Sequence, residues 1–100
     1  MFRLCYEMDL PTPRDRVWEA CTRGGTLPCA GEVLFEDRPR LLHLGESDES
    51  SSVTVRLFPT LDGTRLEVIH EVACDLSTRD RLDRRWQAAL ESLRIALRRA

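Results

Sequence analysis

The stretch that decides the fold runs from Ser77 to Ala100 and reads STRDRLDRRWQAALESLRIALRRA. Its apolar residues recur every three or four positions, which is the spacing of one face of an amphipathic helix. They are Leu82, Trp86, Ala89, Leu90, Leu93 and Leu97. Neither glycine nor proline interrupts the segment. We therefore predict a helix of about twenty residues, about 30 Å long, whose wide apolar face must be covered by the rest of the chain.

Both ends of this helix carry capping signals. Ser77 is a candidate N-cap, and Asp80 is expected in the first turn, where a carboxylate interacts favourably with the helix dipole. Arg98 and Arg99 lie at the other end, where cations are favoured. The sequence therefore predicts a helix that begins near Ser77 and continues through Arg99.

The composition is that of one globular domain. The chain has 100 residues, of which 42% are hydrophobic and 32% are charged, so residues 1–100 can form a single core. The net charge of −2 gives no overall attraction for nucleic acid or an anionic membrane, and we expect neither partner. No apolar run is long enough to span a membrane, and no leader pattern opens the sequence. We therefore expect a cytoplasmic protein.

The four cysteines, Cys5, Cys21, Cys29 and Cys74, include no C-x-x-C pair. In a cytoplasmic chain we expect such thiols to pack as small hydrophobic side chains. His70 and Cys74 are four residues apart, which is about 13 Å along a strand. This distance is too long for both to hold one metal ion, so we expect neither a metal nor a cofactor.

A first strand is predicted over residues 2–9, because apolar and polar side chains alternate there. Its inward face consists of Phe2, Leu4, Tyr6 and Met8. Pro11 lacks the backbone N–H that a strand needs and ends it.

A short helix is predicted next, through about Thr22. Thr12 is its candidate N-cap, Pro13 takes the first helical position, and Asp15 lies in the first turn. Its apolar positions are Val17, Trp18 and Cys21. Gly24-Gly25 is expected to stop this helix.

Two short strands, over residues 32–36 and 40–44, are predicted in the middle of the chain. Their faces are not decided by the sequence, because each contains adjacent apolar residues. The polar stretch 45–52 predicts a mobile hairpin loop.

Two longer strands, over residues 53–58 and 64–73, follow this loop. Asp62-Gly63 between them is a strong hairpin signal, because glycine accepts a positive φ. The inward face of the second strand consists of Leu66, Val68, His70 and Val72. We expect this face to look toward the C-terminal helix.

The predicted order of elements is β-α-β-β-β-β-α, which is an α+β fold. A twisted antiparallel sheet of about five strands, apolar on one face, is the natural cover for the long C-terminal helix. The first and last strands can lie side by side, so that the sheet curls around the helix.

Four motifs resemble those of one family, the START-like (SRPBCC) superfamily, in its branch related to the activator of Hsp90 ATPase. TPRDRVWEA, at 12–20, resembles its A-P-x-x-x-V-W-x-A segment. GEVLFEDRPRL, at 31–41, resembles its G-x-V-x-x-x-x-P-P-x-x-L run, and GTRLEVIH, at 63–70, resembles its G-T-R-L-T-L-x-H strand. Trp86, Leu90 and Leu93 resemble the W-x-x-x-L-x-x-L motif in the terminal helix of the family.

The resemblance implies a helix-grip fold with an apolar cavity between the sheet and the terminal helix, used for lipids, polyketides or other hydrophobic molecules. Members of the family have a second short helix and at least one more strand before the G-x-V segment, where this chain has only residues 21–30. The loss of one wall is expected to shrink or open the cavity, or to leave an edge strand bare. Because a bare edge favours pairing with another copy, we expect a homodimer through an exposed sheet edge.

The predicted pocket is lined by Tyr6, Trp18, Val68, His70, Trp86 and Leu90. Each residue also has a purely structural interpretation. His70 is either a neutral core imidazole or a group that contacts a ligand or transfers a proton. Tyr6 either offers its hydroxyl to a ligand or is satisfied by a neighbour, and the two tryptophans either anchor the core or line the cavity. We assign no catalytic residue.

Three functions follow from the resemblance. The first is a non-enzymatic module that binds a small hydrophobic ligand or a partner, and this is the function we expect. The second is an enzyme similar to polyketide cyclases or dehydratases, with His70 as the acid–base group. The third is a co-chaperone-like protein that contacts Hsp90.

Overall fold

The computed structural model describes residues 1–23, 27–28, 32–45 and 51–99. Its elements follow one another as β1 (Phe2–Leu10), α1 (Arg14–Thr22), β2 (Glu32–Asp37), β3 (Leu41–Gly45), β4 (Ser51–Pro59), β5 (Thr64–Val72) and α2 (Leu76–Arg99). The α+β class and the predicted order of elements are confirmed.

The five strands form one antiparallel sheet in the order β1-β5-β4-β3-β2. β1 pairs with β5 along its whole length, from Phe2 opposite Val72 to Leu10 opposite Thr64. The first and last strands therefore lie side by side, as the sequence predicts. β1 and β2 are the two edges of the sheet that the described residues form.

One face of the sheet is the inner face, against which the helices pack. In β5, Leu66, Val68, His70 and Val72 are all buried, whereas Arg65 on the opposite face is exposed. α2 packs against β1 and α1, and α1 packs against β4. The helical residues buried against this face are Val17, Trp18, Cys21, Trp86, Leu90 and Leu93. The predicted orientation of β5 toward the C-terminal helix is confirmed.

The predicted N-cap of α2 is wrong. The helix begins at Leu76, because a carboxylate oxygen of Asp75 accepts a hydrogen bond from the Thr78 N–H at 2.7 Å. This hydrogen bond also lowers the pKa of Asp75. Ser77 is therefore already inside the helix, and Asp80 lies beyond the first turn.

The predicted N-cap of α1 is wrong as well. The helix begins at Arg14, with Pro13 at the N-cap position and no side-chain capping hydrogen bond. Thr12 is buried, and its carbonyl oxygen accepts a hydrogen bond from the Thr64 hydroxyl at 2.7 Å. The threonine thus joins the start of α1 to the start of β5 instead of capping the helix.

The loop predicted over residues 45–52 is shorter than expected. Gly45 is the last residue of β3, and Ser51 and Ser52 begin β4. The rest of that predicted loop and the predicted Gly24-Gly25 stop lie outside the described residues.

Gly63 packs its backbone directly against the end of β1. A Cβ atom at this position would lie 2.1 Å from the carbonyl oxygen of Leu10 and 2.6 Å from the amide nitrogen of Thr12. Both contacts are with backbone, which cannot move aside as the tip of a side chain can. The close approach of the β4–β5 turn to β1 therefore requires glycine.

We expect Gly63→Ala to lower the free energy of unfolding by about 1–3 kcal/mol, because the added methyl group overpacks this contact. Urea denaturation followed by circular dichroism measures the loss. Asp62→Ala, in the same exposed turn, is the matched control and should change stability by less than about 0.5 kcal/mol. Equal losses in the two variants would contradict the steric explanation.

Candidate functional site

The structure places the six predicted pocket residues on four elements around the middle of α2. Tyr6 lies on β1 and is half-buried, and the other five are buried: Trp18 on α1, Val68 and His70 on β5, Trp86 and Leu90 on α2. They belong to the layer between the sheet and the helices. Whether they line a binding pocket remains a prediction.

Trp86 and His70 form the polar centre of this layer. The side chain of Trp86 is 0% exposed, and its indole N–H donates a hydrogen bond to Nδ1 of His70 at 2.8 Å. Because an indole nitrogen can only donate, Nδ1 carries no proton. The proton of the neutral ring is therefore on Nε2, which donates to the Ser51 hydroxyl oxygen at 2.8 Å.

His70 is held neutral by its surroundings. It is directly opposed by Leu4 on β1 and by Val53 on β4, both buried. This burial disfavours the charged imidazolium and lowers the pKa of His70 below its ordinary value of 6.5. A proton on Nδ1 would also remove the hydrogen bond from Trp86.

A second hydrogen bond joins the sheet to α2 at Tyr6. The phenol donates to a carboxylate oxygen of Asp83 at 2.6 Å, and the ring stacks on Trp86 with centroids 5.8 Å apart. Burial, followed by this hydrogen bond, raises the pKa of Tyr6. The hydrogen bond from Tyr6 in turn lowers the pKa of Asp83, which also accepts a hydrogen bond from Gln87 at 3.0 Å.

Sequence reasoning missed the two hydrogen-bond partners, Asp83 and Ser51. A signal for Asp83 existed, because it lies three residues before Trp86 and therefore on the same side of the helix. No local signal pointed to Ser51, since its contact with His70 depends on the register between β4 and β5.

Two clefts of the described surface lie away from these residues. One, of ≈ 390 Å³, lies between α1 and α2 and is lined by Ala20, Arg23, Ala88, Ala89, Ser92, Leu93 and Ala96. The other, of ≈ 490 Å³, lies between the end of β1 and the β4–β5 turn and includes Asp9, Leu61 and Arg65. Neither cleft contains any of the six predicted pocket residues.

The edge strand β2 exposes apolar side chains. Val33, Leu34 and Phe35 are 56%, 58% and 53% exposed. A register shift between Val33 and Phe35 makes Leu34 an extra residue in the pairing with β3. Its side chain covers Gly45, whose added Cβ would lie 2.5 Å from a Leu34 methyl carbon. Val33 is opposite Leu44, which faces the inner side of the sheet together with Val53.

The cysteines differ in their environments. Cys21 is buried, and burial raises the pKa of its thiol to about 12. Cys74 is half-buried and Cys5 is exposed on the outer side of β1, and all three are free thiols. The expected packing therefore holds for Cys21 and is wrong for Cys5, whereas Cys29 lies outside the described residues.

Across the described ranges, no group of three His, Cys, Asp or Glu side chains is placed to hold a metal ion. In the same residues, neither helix is both long and apolar enough to cross a membrane.

We expect Trp86→Phe to lower the free energy of unfolding by about 1–3 kcal/mol more than Trp18→Phe. Both changes remove the same atoms from a buried tryptophan, but only the first leaves Nδ1 of buried His70 without its donor. Urea denaturation at pH 7.5 measures the difference. A loss in Trp86→Phe no greater than that in Trp18→Phe would show that the hydrogen bond contributes nothing.

We expect the free energy of unfolding to fall as the pH is lowered from about 7.5 to about 5, by at most about 1.4 kcal/mol per pH unit from one histidine. The unfolded chain protonates His70 near pH 6.5, whereas the folded chain does so only at lower pH. The folded state therefore has its full stability above pH 6.5 and loses it toward acid. Asp75 and Asp83 lose their contributions only below their ordinary pKa of 3.8, outside this range.

Urea denaturation at several pH values tests this dependence. His70→Gln introduces a side chain that cannot be protonated and should flatten the dependence of the free energy of unfolding on pH. His43 is half-buried on the outer face of β3, and His43→Gln should leave this dependence in place. An unchanged slope in His70→Gln would assign the acid sensitivity to another group.

The chain matches no family model, and no curated protein matches it. Solved structures do match. MLL2253 from Mesorhizobium loti is 21% identical, with a TM-score of 0.76 over 99% of this chain and 98% of that one. The solution structure of the Aha1 dimer from Colwellia psychrerythraea is 11% identical, with a TM-score of 0.80 over 97% of this chain and 96% of that one.

An AHSA1-like protein from Rhizobium etli, RHE_CH02687, is 17% identical, with a TM-score of 0.76 over 93% of this chain and 79% of that one. The TM-scores of 0.76–0.80 establish a shared fold, and at identities of 11–21% the likeness is one of fold alone. The alignments cover 93–99% of this chain and therefore include both its five-stranded antiparallel sheet and its long C-terminal helix. The chain therefore has the START-like, helix-grip fold of AHSA1-like proteins.

Proposed function

We propose that this chain is a small START-like module that binds a hydrophobic molecule between the inner face of its sheet and α2. The observation that supports it best is the open end of the inner face at β2 and β3. Val33 is more than half exposed there, although it is opposite Leu44 and continues the apolar inner surface. An apolar surface of this kind favours a hydrophobic ligand.

A row of directly opposed inner residues leads from this open end into the layer that holds the predicted pocket. Leu44 on β3 is opposite Val53 on β4, which is opposite His70 on β5 and then Leu4 on β1. A ligand that enters beside Val33 and Leu44 would follow this row toward Trp86. The proposed lining is the predicted set: Tyr6, Trp18, Val68, His70, Trp86 and Leu90. Because five of these six side chains are buried, a ligand has to displace part of this packing to reach them.

We expect lauric acid or the aromatic compound emodin to shift the Trp86 indole N–H signal in NMR titrations. Val33→Glu should weaken binding about tenfold or more, because it places a charge where the apolar ligand enters. Leu61→Glu is the matched control, because Leu61 is fully exposed at the β4–β5 turn and should leave binding unchanged. Saturating amounts of both probes without a change at Trp86 would contradict the proposed pocket.

We propose binding in preference to catalysis because both ring nitrogens of His70 already have hydrogen-bond partners, Trp86 and Ser51. Neither nitrogen is free to exchange a proton with a substrate in this arrangement. The likeness to Aha1 is one of fold, at 11% identity, and it supports no chaperone partner for this chain.

Self-association through an exposed sheet edge is the second part of the proposal. A neighbour with the same fold, the Aha1 of Colwellia psychrerythraea, is described as a dimer. The described part of this chain also has two sheet edges that could pair with a second copy. We propose the cytoplasm as the location, which the free thiols of Cys5, Cys21 and Cys74 support.

A further inference from the structure

We propose that two copies of this chain associate through β1, as antiparallel strands related by a two-fold axis at Cys5. This inference depends on the proposed self-association and adds which edge pairs and in which register. The partner is a second copy of the same chain, and the two sheets become one continuous sheet.

The two sheet edges differ in regularity. β1 pairs with β5 in one unbroken register from Phe2 to Leu10. β2 carries the register shift between Val33 and Phe35. A bulge in an edge strand interrupts the alternation of its side chains and hinders pairing with a further strand. β1 is therefore the edge with the geometry that a second strand requires.

The partial burial of the inward side chains of β1 also indicates that a strand is missing on its unpaired side. On β5, which lies between two strands, every inward side chain is buried. On β1, the inward side chains of Phe2, Tyr6 and Met8 are only half-buried. Among the described residues, β1 pairs with β5 alone, so its apolar side chains have no strand beside them on the other side. A second β1 would cover them.

The charges of β1 select the register. When Cys5 is on the two-fold axis, Arg3 of each copy is opposite Glu7 of the other, and the axis relates two such pairs. On the inner face, Leu4 is then opposite Tyr6, and Phe2 is opposite Met8. Opposite charges and apolar pairs in direct opposition both stabilise an antiparallel sheet.

Two neighbouring registers of β1 satisfy these charges less well. An axis at Glu7 places the two Glu7 carboxylates opposite each other, which is destabilising. An axis at Tyr6 pairs Arg3 with Asp9, but it leaves Glu7 opposite the uncharged Cys5.

Self-pairing of β2 meets a similar obstacle. When its side chains are matched face to face about the bulge, Glu32 is opposite Asp37 of the second copy, and Val33 is opposite Glu36. Two symmetric pairs of like charges then oppose the association. The apolar side chains exposed on β2 are thus flanked by acids that disfavour a second β2.

We call the line along which the two β1 strands would pair the β1 seam. The charged groups that would meet there are accessible. Arg3 lies 3.5 Å from Glu71 and Glu7 lies 3.7 Å from Arg65 within one chain, and all four side chains are substantially exposed. Across the seam, Arg3 and Glu7 would join these pairs into a network on the outer face. The exposed thiol of Cys5 would lie at its centre.

Charge exchange at the seam tests the edge and the register together. Sedimentation velocity over about 5–200 µM should show a reversible dimer, and Arg3→Glu should raise its Kd about tenfold by placing two acids opposite each other. Glu7→Arg should do the same, and the double variant Arg3→Glu/Glu7→Arg should return the Kd to near the wild-type value. Phe35→Arg, a charge introduced on β2, is the matched control and should leave the Kd unchanged.

Oxidation of Cys5 provides an independent measure of the register. Residues directly opposed in antiparallel strands have Cα atoms about 4.5–5.5 Å apart, within reach of a disulfide. In a Cys29→Ser/Cys74→Ser background, where buried Cys21 is protected, diamide should link two chains through Cys5. The same background with Cys5→Ser should give no covalent dimer.

The outcomes separate the two proposals. A monomer at every concentration would overturn both self-association and its assignment to β1. A dimer that Phe35→Arg dissociates and Arg3→Glu does not would keep self-association and overturn the assignment to β1. A dimer that the double variant fails to restore, or that Cys5 fails to link, would overturn the Cys5 register.

Discussion

The fold depends on one hydrogen bond inside the core, which the indole N–H of a completely buried tryptophan donates. Trp86 is the largest fully buried side chain in the described part of α2, and its one polar group needs an acceptor inside the core. His70 on β5 is that acceptor, and Ser51 on β4 completes the ring's hydrogen bonding. Since a neutral imidazole offers one acceptor and one donor, this single side chain serves both neighbours. The helix is thereby fixed in position along the sheet by directional bonds as well as by apolar contact.

The sequence predicts well those features that depend on one regular spacing of apolar residues along the chain. β5 alternates strictly, so its burial could be assigned residue by residue, and the period of α2 placed Trp86, Leu90 and Leu93 on one face. The predictions of the helix N-caps were wrong because several neighbouring residues are suitable by type. At the start of α2, both Asp75 and Ser77 can cap, and Asp75 does so. At the start of α1, Thr12 is suitable, but its contact is a hydrogen bond with Thr64 of β5, far away in the chain.

The candidate site shows the same division. Its aromatic and apolar members came from periodicity and from the resemblance to START-like proteins, and the structure brings them into one layer. Their polar partners could not be predicted, because Tyr6 and Asp83 are 77 positions apart and meet only when the sheet has closed around α2. The bulge at Leu34 was equally hidden, since adjacent apolar residues in β2 fit either face until the pairing with β3 is known.

The pairing of β1 with β5 has a consequence for how the chain is made. Phe2 is opposite Val72, so β1 finds its neighbour only after β5 has been synthesised. Closing so long a loop costs chain entropy before any contact compensates for it, and such non-local topologies fold slowly. During translation the β2–β3–β4 meander can assemble from nearby residues, whereas the N-terminal strand waits without a partner.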